Sequence, residues 1–167
     1  IEKEMLHPVL AIIQVGSLDA SNIYIRNKRK AADEIGIETK LYKYDEEEST
    51  EELCSVIEKL NQSDEVNGIF ILLPLPKHLD ENFLIDHIDP NKDVDGLTTI
   101  NLGKLMNHDN SLVPCTPSAV MDIIDSLNYD LTGKKAVIIG RSRLVGMPLF
   151  HLLLKRNATV TICHSKT

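Results

Sequence analysis

Short apolar runs alternate with segments of helical periodicity along the first hundred residues. Apolar runs at 8–15 and 68–73, and an alternating pattern at 38–44, predict three β-strands. Amphipathic patterns of about 3.6-residue period predict helices between and after them, at about 20–35, 50–62 and 80–87. Strands that alternate with helices are typical of a parallel α/β sheet, so the fold class is predicted to be α/β.

A less regular stretch follows, and then one more helix. Residues 97–113 show no clear period and are predicted to be irregular. Thr116 and Pro117 are typical of a helix start, with Thr116 as the cap and Pro117 in the first position. The apolar face of this connecting helix is predicted to carry Val120, Ile123, Ile124 and Leu127.

A second α/β unit is predicted from residue 133 onward. Residues 135–139 and 158–163 have the pattern of strands, and a turn and a helix through Lys155 lie between them. Two strands make a sheet too small to be stable without further packing. The chain is therefore expected to be truncated at its C-terminus, so that only part of this second unit is present.

Composition and charge exclude several classes of protein. The chain has 167 residues, of which 43% are hydrophobic and 26% charged, as in globular proteins. A net charge of −7 argues against a nucleic-acid partner. No apolar run approaches the roughly 20 residues that a membrane helix needs. The three cysteines are far apart, which favours reduced thiols, a cytoplasmic location and no metal site.

The run Lys92–Gly96 places three charges within five residues, of which Asp93 and Asp95 are carboxylates. Carboxylates this close need cations, backbone donors or a ligand around them. Ligands of parallel sheets bind at the carboxyl ends of the strands. We expect this turn to lie there, together with 16–21 and 73–76, although a solvated loop would explain the run by itself.

The turn between the last two predicted strands, 140–148, has features of a dinucleotide-binding motif. Gly140 and Gly146 flank it, but Ser142 replaces the central glycine of G-x-G-x-x-G. The following strand ends in His164-Ser165-Lys166 without the carboxylate that binds the ribose of NAD. With Arg141 and Arg143 in the turn, the pattern favours NADP. The alternative is a plain βα turn in which Ser165 caps a loop and the arginines face solvent.

Tyr24 and Lys28 lie four residues apart and are predicted to share one face of the first helix. A partly desolvated lysine can transfer protons, and a tyrosine beside it can stack on a flat ligand. The alternative is that both are ordinary exposed residues of a basic helix.

In this order, the segments resemble the bifunctional methylenetetrahydrofolate dehydrogenase/cyclohydrolase family. The resemblance rests on VGSLDASNIYIRNKRKAADEIGI (15–37), GIFILLPLP (68–76), DPNKDVDGLTTINLGKL (89–105), PCTPSAV (114–120), GRSRLVGMPL (140–149) and ATVTICHSKT (158–167). It implies an N-terminal catalytic, folate-binding α/β domain, here 1–115. It also implies a connector helix and a partial Rossmann-type NADP-binding domain, here 116–167.

The resemblance also implies roles for single residues. Lys28 matches the catalytic lysine, Tyr24 the tyrosine that orients folate, and Asp95 the aspartate that holds the pterin. Further positions that it places at the folate cleft are Ser21, Leu72 and Leu73. The dinucleotide positions are Gly140, Arg141, Ser142 and Ser165, with Arg141 and Ser165 at the 2′-phosphate. The implied substrate is a folate, and the implied assembly is a homodimer.

One departure from the family bears on its two activities, which are oxidation of the methylene folate with NADP and hydrolysis of the methenyl product. The family carries a glutamine at the position of Leu72, and that glutamine hydrogen-bonds the catalytic lysine. A leucine cannot orient Lys28, which affects hydrolysis more than hydride transfer. Two alternatives are a monofunctional dehydrogenase and a non-catalytic remnant that binds folate or nucleotide. The intact Tyr24, Lys28 and Asp95 count against the remnant.

Overall fold

The computed structural model describes residues 7–16 and 19–167, which form two compact units, Ile1–Asp93 and Val94–Thr167. Both contain parallel strands and helices, so the predicted α/β class is confirmed. Within the described ranges, no helix is both long enough and apolar enough to cross a membrane.

The first unit is a three-stranded parallel sheet in the order β2-β1-β3. Its elements are β1 (Val9–Val15), α1 (Asp19–Glu34), β2 (Glu38–Tyr44), α2 (Thr50–Gln62), β3 (Gly68–Ile71) and α3 (Glu81–Asp86). All six were predicted from periodicity. Residues 17 and 18 of the predicted edge segment 16–21 lie outside the described residues.

The two faces of this sheet bury different side chains. One face packs on α2 and α3 through a core that includes Ala11, Ile13, Leu53, Ile57, Ile69, Ile71 and Leu84. Because successive side chains of a strand point to opposite faces, Ile12 and Gln14 of β1 and Phe70 of β3 belong to the other face. All three are buried, and Ile25 of α1 is buried as well. Helix α1 therefore packs on a sheet face that includes a polar residue, Gln14, and an aromatic residue, Phe70.

Lys92 lies at the amino end of β3. The expectation that the Lys92–Gly96 turn lies at the carboxyl ends of the strands is therefore wrong for its first residue. Its carbonyl accepts the N–H of Ile69 at 2.7 Å. Its ammonium donates to three carbonyls at the end of α2, those of Leu60, Asn61 and Ser63, at 2.7–3.1 Å. A lysine that caps the carbonyls of a helix C-terminus is favourable, and this contact ties the turn to α2. The adjacent Asp93 is 1% exposed and bridges to Ile69, so it is a structural residue.

The second unit contains a two-stranded parallel sheet and three helices. Its elements are α4 (Thr99–Met106), α5 (Cys115–Ser126), β4 (Lys135–Ile139), α6 (Gly146–Lys155) and β5 (Thr159–Cys163). Helices α5 and α6 and the two strands share one apolar core, which consists of Met121, Leu131, Ile138, Leu153 and Ala158.

Helix α4 corrects the prediction that 97–113 is irregular. Thr98 caps it, because its hydroxyl accepts the N–H of Asn101 at 3.3 Å. Four of its eight residues are apolar, but Ile100 and Met106 are exposed while the polar Asn101 is buried with Leu105, so the apolar residues do not mark the buried face. The capping threonine was the signal in the sequence that could have located it.

Helix α5 begins two residues earlier than the predicted first position, Pro117. Pro114 precedes it and Cys115 is its first residue, so Thr116 is not the cap. The carbonyl of Pro114 accepts the N–H of Ser118, which closes the first turn without a side chain. The predicted apolar face is also partly wrong, because Ile123 and Leu127 are 62% and 72% exposed.

Candidate functional site

Tyr24 and Lys28 share one face of α1 and meet Phe70 of β3. The Lys28 Nζ atom lies 3.3 Å from the centroid of the Phe70 ring and 5.8 Å from that of Tyr24. The two rings are 6.2 Å apart and tilted by 44°. An ammonium within about 6 Å of a ring face is attracted by the ring quadrupole. The first unit therefore holds a cation over a buried ring, Phe70, with the half-exposed ring of Tyr24 beside it.

Gln14 lies on the same sheet face and contains a buried acceptor. Its side chain is 1% exposed, and its amide nitrogen donates to Asn22 of α1 at 3.1 Å. The Oε1 atom has no hydrogen-bond partner among the described residues. Ile13 pairs with Ile71, so Gln14 and Leu72 occupy matching positions one residue further along. Leu72 is 8% exposed and offers no donor to this oxygen.

The carboxyl ends of the strands of the first unit border a cleft of about 520 Å³. It is lined by Val15 and Gly16 after β1, Glu46 after β2, and residues 74–78 after β3. This agrees with the predicted place of the 73–76 segment. Leu73, which precedes a cis peptide bond to Pro74, is half-buried, as is Ser21 of α1.

Asp95 belongs to the second unit, in which it is the second residue and half-buried. The next residue must be a glycine. Gly96 has a φ of 64°, and a Cβ there would collide with the carbonyl oxygen of Leu112 and lie 2.8 Å from its carbon. The backbone around Asp95 is therefore held by a close approach that no other residue type permits.

The turn between β4 and α6 is closed by Ser142. Its hydroxyl accepts the N–H of Val145 at 3.1 Å and that of Gly146 at 3.5 Å. Its carbonyl accepts the N–H of Met147 at 3.0 Å. A serine that takes the place of the central glycine thus organises the first turn of α6. A hydroxyl that accepts N–H groups retains its own O–H as a donor.

Two glycines give this turn room for a dinucleotide. Gly140 has a φ of 120°, and a Cβ there would have no atom within 4 Å, so the space beside its backbone is open. At Gly146 the opposite holds, because a Cβ would collide with the carbonyl oxygen of Gly140. One glycine exposes the backbone, and the other lets the helix approach it. These are the two uses of glycine in a phosphate-binding turn, so the residues present fit a nicotinamide dinucleotide.

Arg141 and Ser165 occupy equivalent positions at the carboxyl edge of the second sheet. Ile139 pairs with Cys163, and each of the two residues follows its strand by two positions. Both are exposed, and residues 164–167, directly after β5, include no carboxylate. Arg143 is different, because its guanidinium donates to the carbonyl of Leu97 at 3.0 Å. The sequence suggested both arginines for the phosphate. The guanidinium of Arg143, however, binds a backbone carbonyl of its own chain.

Sequence reasoning missed Phe70 and Gln14. Both lie in apolar runs that were read as buried strands, and burial alone gives neither a function. Alternation within the strands was the available signal, since it separates Gln14 and Phe70 from the core face. The contact of Phe70 with Lys28 depends on the packing of α1 on the sheet, which the pattern does not reveal.

Comparison with known families matches both units. Residues 1–95 match the model of the tetrahydrofolate dehydrogenase/cyclohydrolase catalytic domain. Residues 114–167 match the model of the tetrahydrofolate dehydrogenase/cyclohydrolase NAD(P)-binding domain.

Individual relatives agree with this match. The bifunctional protein FolD of Acetivibrio thermocellus is 48% identical over 167 residues, which are 100% of this chain and 59% of the relative. The crystal structure of the bifunctional enzyme FolD from Campylobacter jejuni is 41% identical, with a TM-score of 0.97 over 99% of this chain and 59% of that one. The Trypanosoma brucei enzyme complexed with NADP cofactor and an inhibitor is 36% identical, with a TM-score of 0.90 over 96% of this chain and 55% of that one.

The chain thus spans a little under three fifths of the length of these relatives. The matched models cover residues of both units, and the resemblance read from six sequence segments is confirmed. The chain belongs to the tetrahydrofolate dehydrogenase/cyclohydrolase family.

Proposed function

We propose that the protein is an NADP-dependent 5,10-methylenetetrahydrofolate dehydrogenase and 5,10-methenyltetrahydrofolate cyclohydrolase. It oxidises the methylene folate to the methenyl form and hydrolyses that form to 10-formyltetrahydrofolate. Family membership supports the proposal, as do the names of the relatives, which describe bifunctional enzymes of this kind.

The observation that carries the proposal is the position of Lys28. Its ammonium, at the end of a flexible side chain, lies over a buried ring and beside the half-exposed ring of Tyr24. A folate pterin is flat and aromatic, so it can stack beside Tyr24 within reach of a proton-transferring lysine. Neither residue is needed to stabilise the core, because Tyr24 is 50% exposed and Lys28 only half-buried.

Each proposed site residue has a distinct role. Lys28 transfers the proton at its Nζ atom when water adds to the methenyl carbon. Tyr24 orients the folate, and Asp95 accepts hydrogen bonds from the pterin N–H groups. Ser21, Leu72 and Leu73 line the folate cleft. Because hydride transfer depends mainly on holding two rings face to face, most of these roles are positional.

NADP supplies a nicotinamide C4 that accepts a hydride. Gly140, Arg141 and Ser142 would hold its phosphates in the turn before α6, where the open space beside Gly140 supports the assignment. Arg141 and Ser165 would bind the 2′-phosphate, which their shared place past paired strand ends supports. A guanidinium and a hydroxyl without a neighbouring carboxylate favour NADP over NAD.

Leu72 supports a second candidate, a monofunctional dehydrogenase. The residue is buried and apolar, and it comes directly after β3, at the position that matches Gln14 beyond the Ile13–Ile71 pair. It cannot hydrogen-bond Lys28, so hydrolysis loses a positioning group that hydride transfer does not require.

The proposal extends to the organisation of the protein. We propose a folate-binding domain over 1–115, and a connector helix with a dinucleotide-binding segment over 116–167. We also propose a cytoplasmic homodimer, whose 10-formyl product serves purine biosynthesis.

Replacement of Lys28 by methionine tests the proposal in the full-length protein. Lys28→Met keeps the length of the side chain but removes the ammonium, so we expect hydrolysis to be lost and dehydrogenation to fall by less, while folate binding persists. The matched control is Lys30→Met on the same helix, where Lys30 is exposed and pairs with Glu34 at 3.9 Å. Both rates are followed by absorbance, NADPH formation for oxidation and loss of methenyl folate for hydrolysis. Unchanged turnover in Lys28→Met would contradict the role of Lys28.

A further inference from the structure

The ammonium of Lys28 lies over the face of the Phe70 ring. Its Nζ atom is 3.3 Å from the Phe70 centroid, well inside the distance of about 6 Å at which a cation and a ring attract. Phe70 is 5% exposed, so little water lies between the ring and its surroundings. Desolvation strengthens such a contact, and Phe70 therefore offers a strong site for the ammonium.

The ring is also rigid. Phe70 is the third of the four residues of β3 and pairs in register with Ile12, which is 0% exposed. The Tyr24 ring lies against it at 6.2 Å. A lysine side chain by itself is flexible over four carbons. A fixed ring at its end restricts the volume that the ammonium explores.

The residue directly after β3, Leu72, is two positions beyond Phe70. Leu72 has an apolar side chain and is 8% exposed. We propose that Phe70 is a positioning residue of Lys28 in this protein, and that its π face fixes the ammonium in a way that the apolar side chain at position 72 cannot. This inference rests on the proposed function, because it matters only if Lys28 transfers a proton.

A graded change of the ring face tests the inference without a change of shape. Fluorinated phenylalanines at position 70, with one, two and three fluorines, withdraw charge from the ring face and leave its volume nearly constant. In the full-length protein we expect kcat of the hydrolysis to fall stepwise, by about 2- to 30-fold at the end of the series, the range that cation–π energies imply. KM for the methenyl folate should change little, because Phe70 acts on Lys28 and not on the substrate.

The same fluorinated phenylalanines, introduced at position 83 in place of Phe83, provide the control. Phe83 is 48% exposed and packs on His87 of its own helix, with a centroid distance of 4.4 Å. Its series should leave both rates unchanged. Dehydrogenation by the Phe70 series serves as an internal comparison, since it depends less on proton transfer by Lys28.

An NMR measurement tests the contact independently of turnover. With ¹³C at the ε-carbon of lysine, the ring current of Phe70 should shift the Lys28 signal upfield. That signal should be absent in Lys28→Arg and should move to the ordinary lysine range in Phe70→Leu. An unshifted signal in the unsubstituted protein overturns the inference.

The remaining outcomes separate the inference from the proposed function. Hydrolysis that stays constant along the Phe70 series overturns the inference and leaves the function standing. Dehydrogenation without hydrolysis in the unsubstituted protein also overturns the inference and favours the monofunctional dehydrogenase. If neither reaction occurs, the proposed function fails and the inference fails with it.

Discussion

Substitution of Gly146 by alanine should destabilise the second unit, whereas the same change at Gly103 should stabilise it. Gly146 is the first residue of α6, and Gly103 lies within α4. A Cβ at Gly146 would collide with the carbonyl oxygen of Gly140 and lie 2.8 Å from its carbon and 3.0 Å from Cα of Arg141. A Cβ at Gly103 would have nothing within 4 Å. The two variants thus add one methyl group each to opposite environments.

The magnitude follows from the atoms that must move. The obstacles at Gly146 are backbone atoms of a tight turn, so the cost lies at the upper end of the roughly 1–3 kcal/mol of overpacking. The reduced entropy of the unfolded chain offsets about 0.5–1 kcal/mol of it. We expect Gly146→Ala to lose about 2 kcal/mol and Gly103→Ala to gain about 0.5–1 kcal/mol. At about 2–4 °C per kcal/mol, Tm should fall by about 4–8 °C and rise by about 1–4 °C, respectively.

Calorimetry of the full-length protein measures both shifts, and a nucleotide titration adds a second readout. Displacement of the Gly140 carbonyl distorts the turn proposed to hold the phosphates, so NADP should bind more weakly to Gly146→Ala. Gly103→Ala should bind it as the unsubstituted protein does. A Tm of Gly146→Ala equal to or above that of Gly103→Ala would refute the close approach of α6 to the turn.

Three further predictions concern single residues. Leu72→Gln should raise the ratio of hydrolysis to dehydrogenation by about 10- to 150-fold, since a hydrogen bond to a charged group contributes about 1.5–3 kcal/mol; an unchanged ratio in parallel rate assays would count against it. Arg141→Ala should weaken NADP binding about tenfold and NAD binding little, with a smaller effect in the same direction for Ser165→Ala; equal losses for both nucleotides would exclude contact with the 2′-phosphate. Burial, with a smaller contribution from Glu51, raises the pKa of the Cys54 thiol. Because the thiolate is the reactive form, Cys54 should be alkylated more slowly than the exposed Cys115. The alkylation rate of Cys54 should also keep rising above the ordinary pKa of a thiol. Equal rates for the two cysteines by mass spectrometry would contradict this.

Sequence patterns were sufficient where one period dominates a segment. The apolar runs at β1 and β3 and the helical period of α2 were recognised because burial on a sheet selects those residue types. Patterns failed at α4, where the apolar Ile100 and Met106 are exposed and a polar residue is buried, and at α5, where Ile123 and Leu127 fit a helical stripe but are exposed. A helical period indicates that a segment has an apolar face. It does not indicate whether another element packs on that face.

The candidate site shows the same division. The i, i+4 spacing of Tyr24 and Lys28 and the glycines at 140 and 146 could be recognised without coordinates, because each is local in the chain. The anchoring of Arg143 at Leu97 could not, since 46 residues separate the two.

The sequence by itself determined the α/β class, the family and the turn before α6, because periodicity, glycine positions and motif order are properties of short segments. Only the tertiary structure decided what Lys28 contacts. Its ammonium meets Phe70, 42 residues further along the chain, through the packing of α1 on β3. Whether a buried phenylalanine merely fills the core or binds a cation depends on which helix covers its face of the sheet, and that is set by packing across the whole unit.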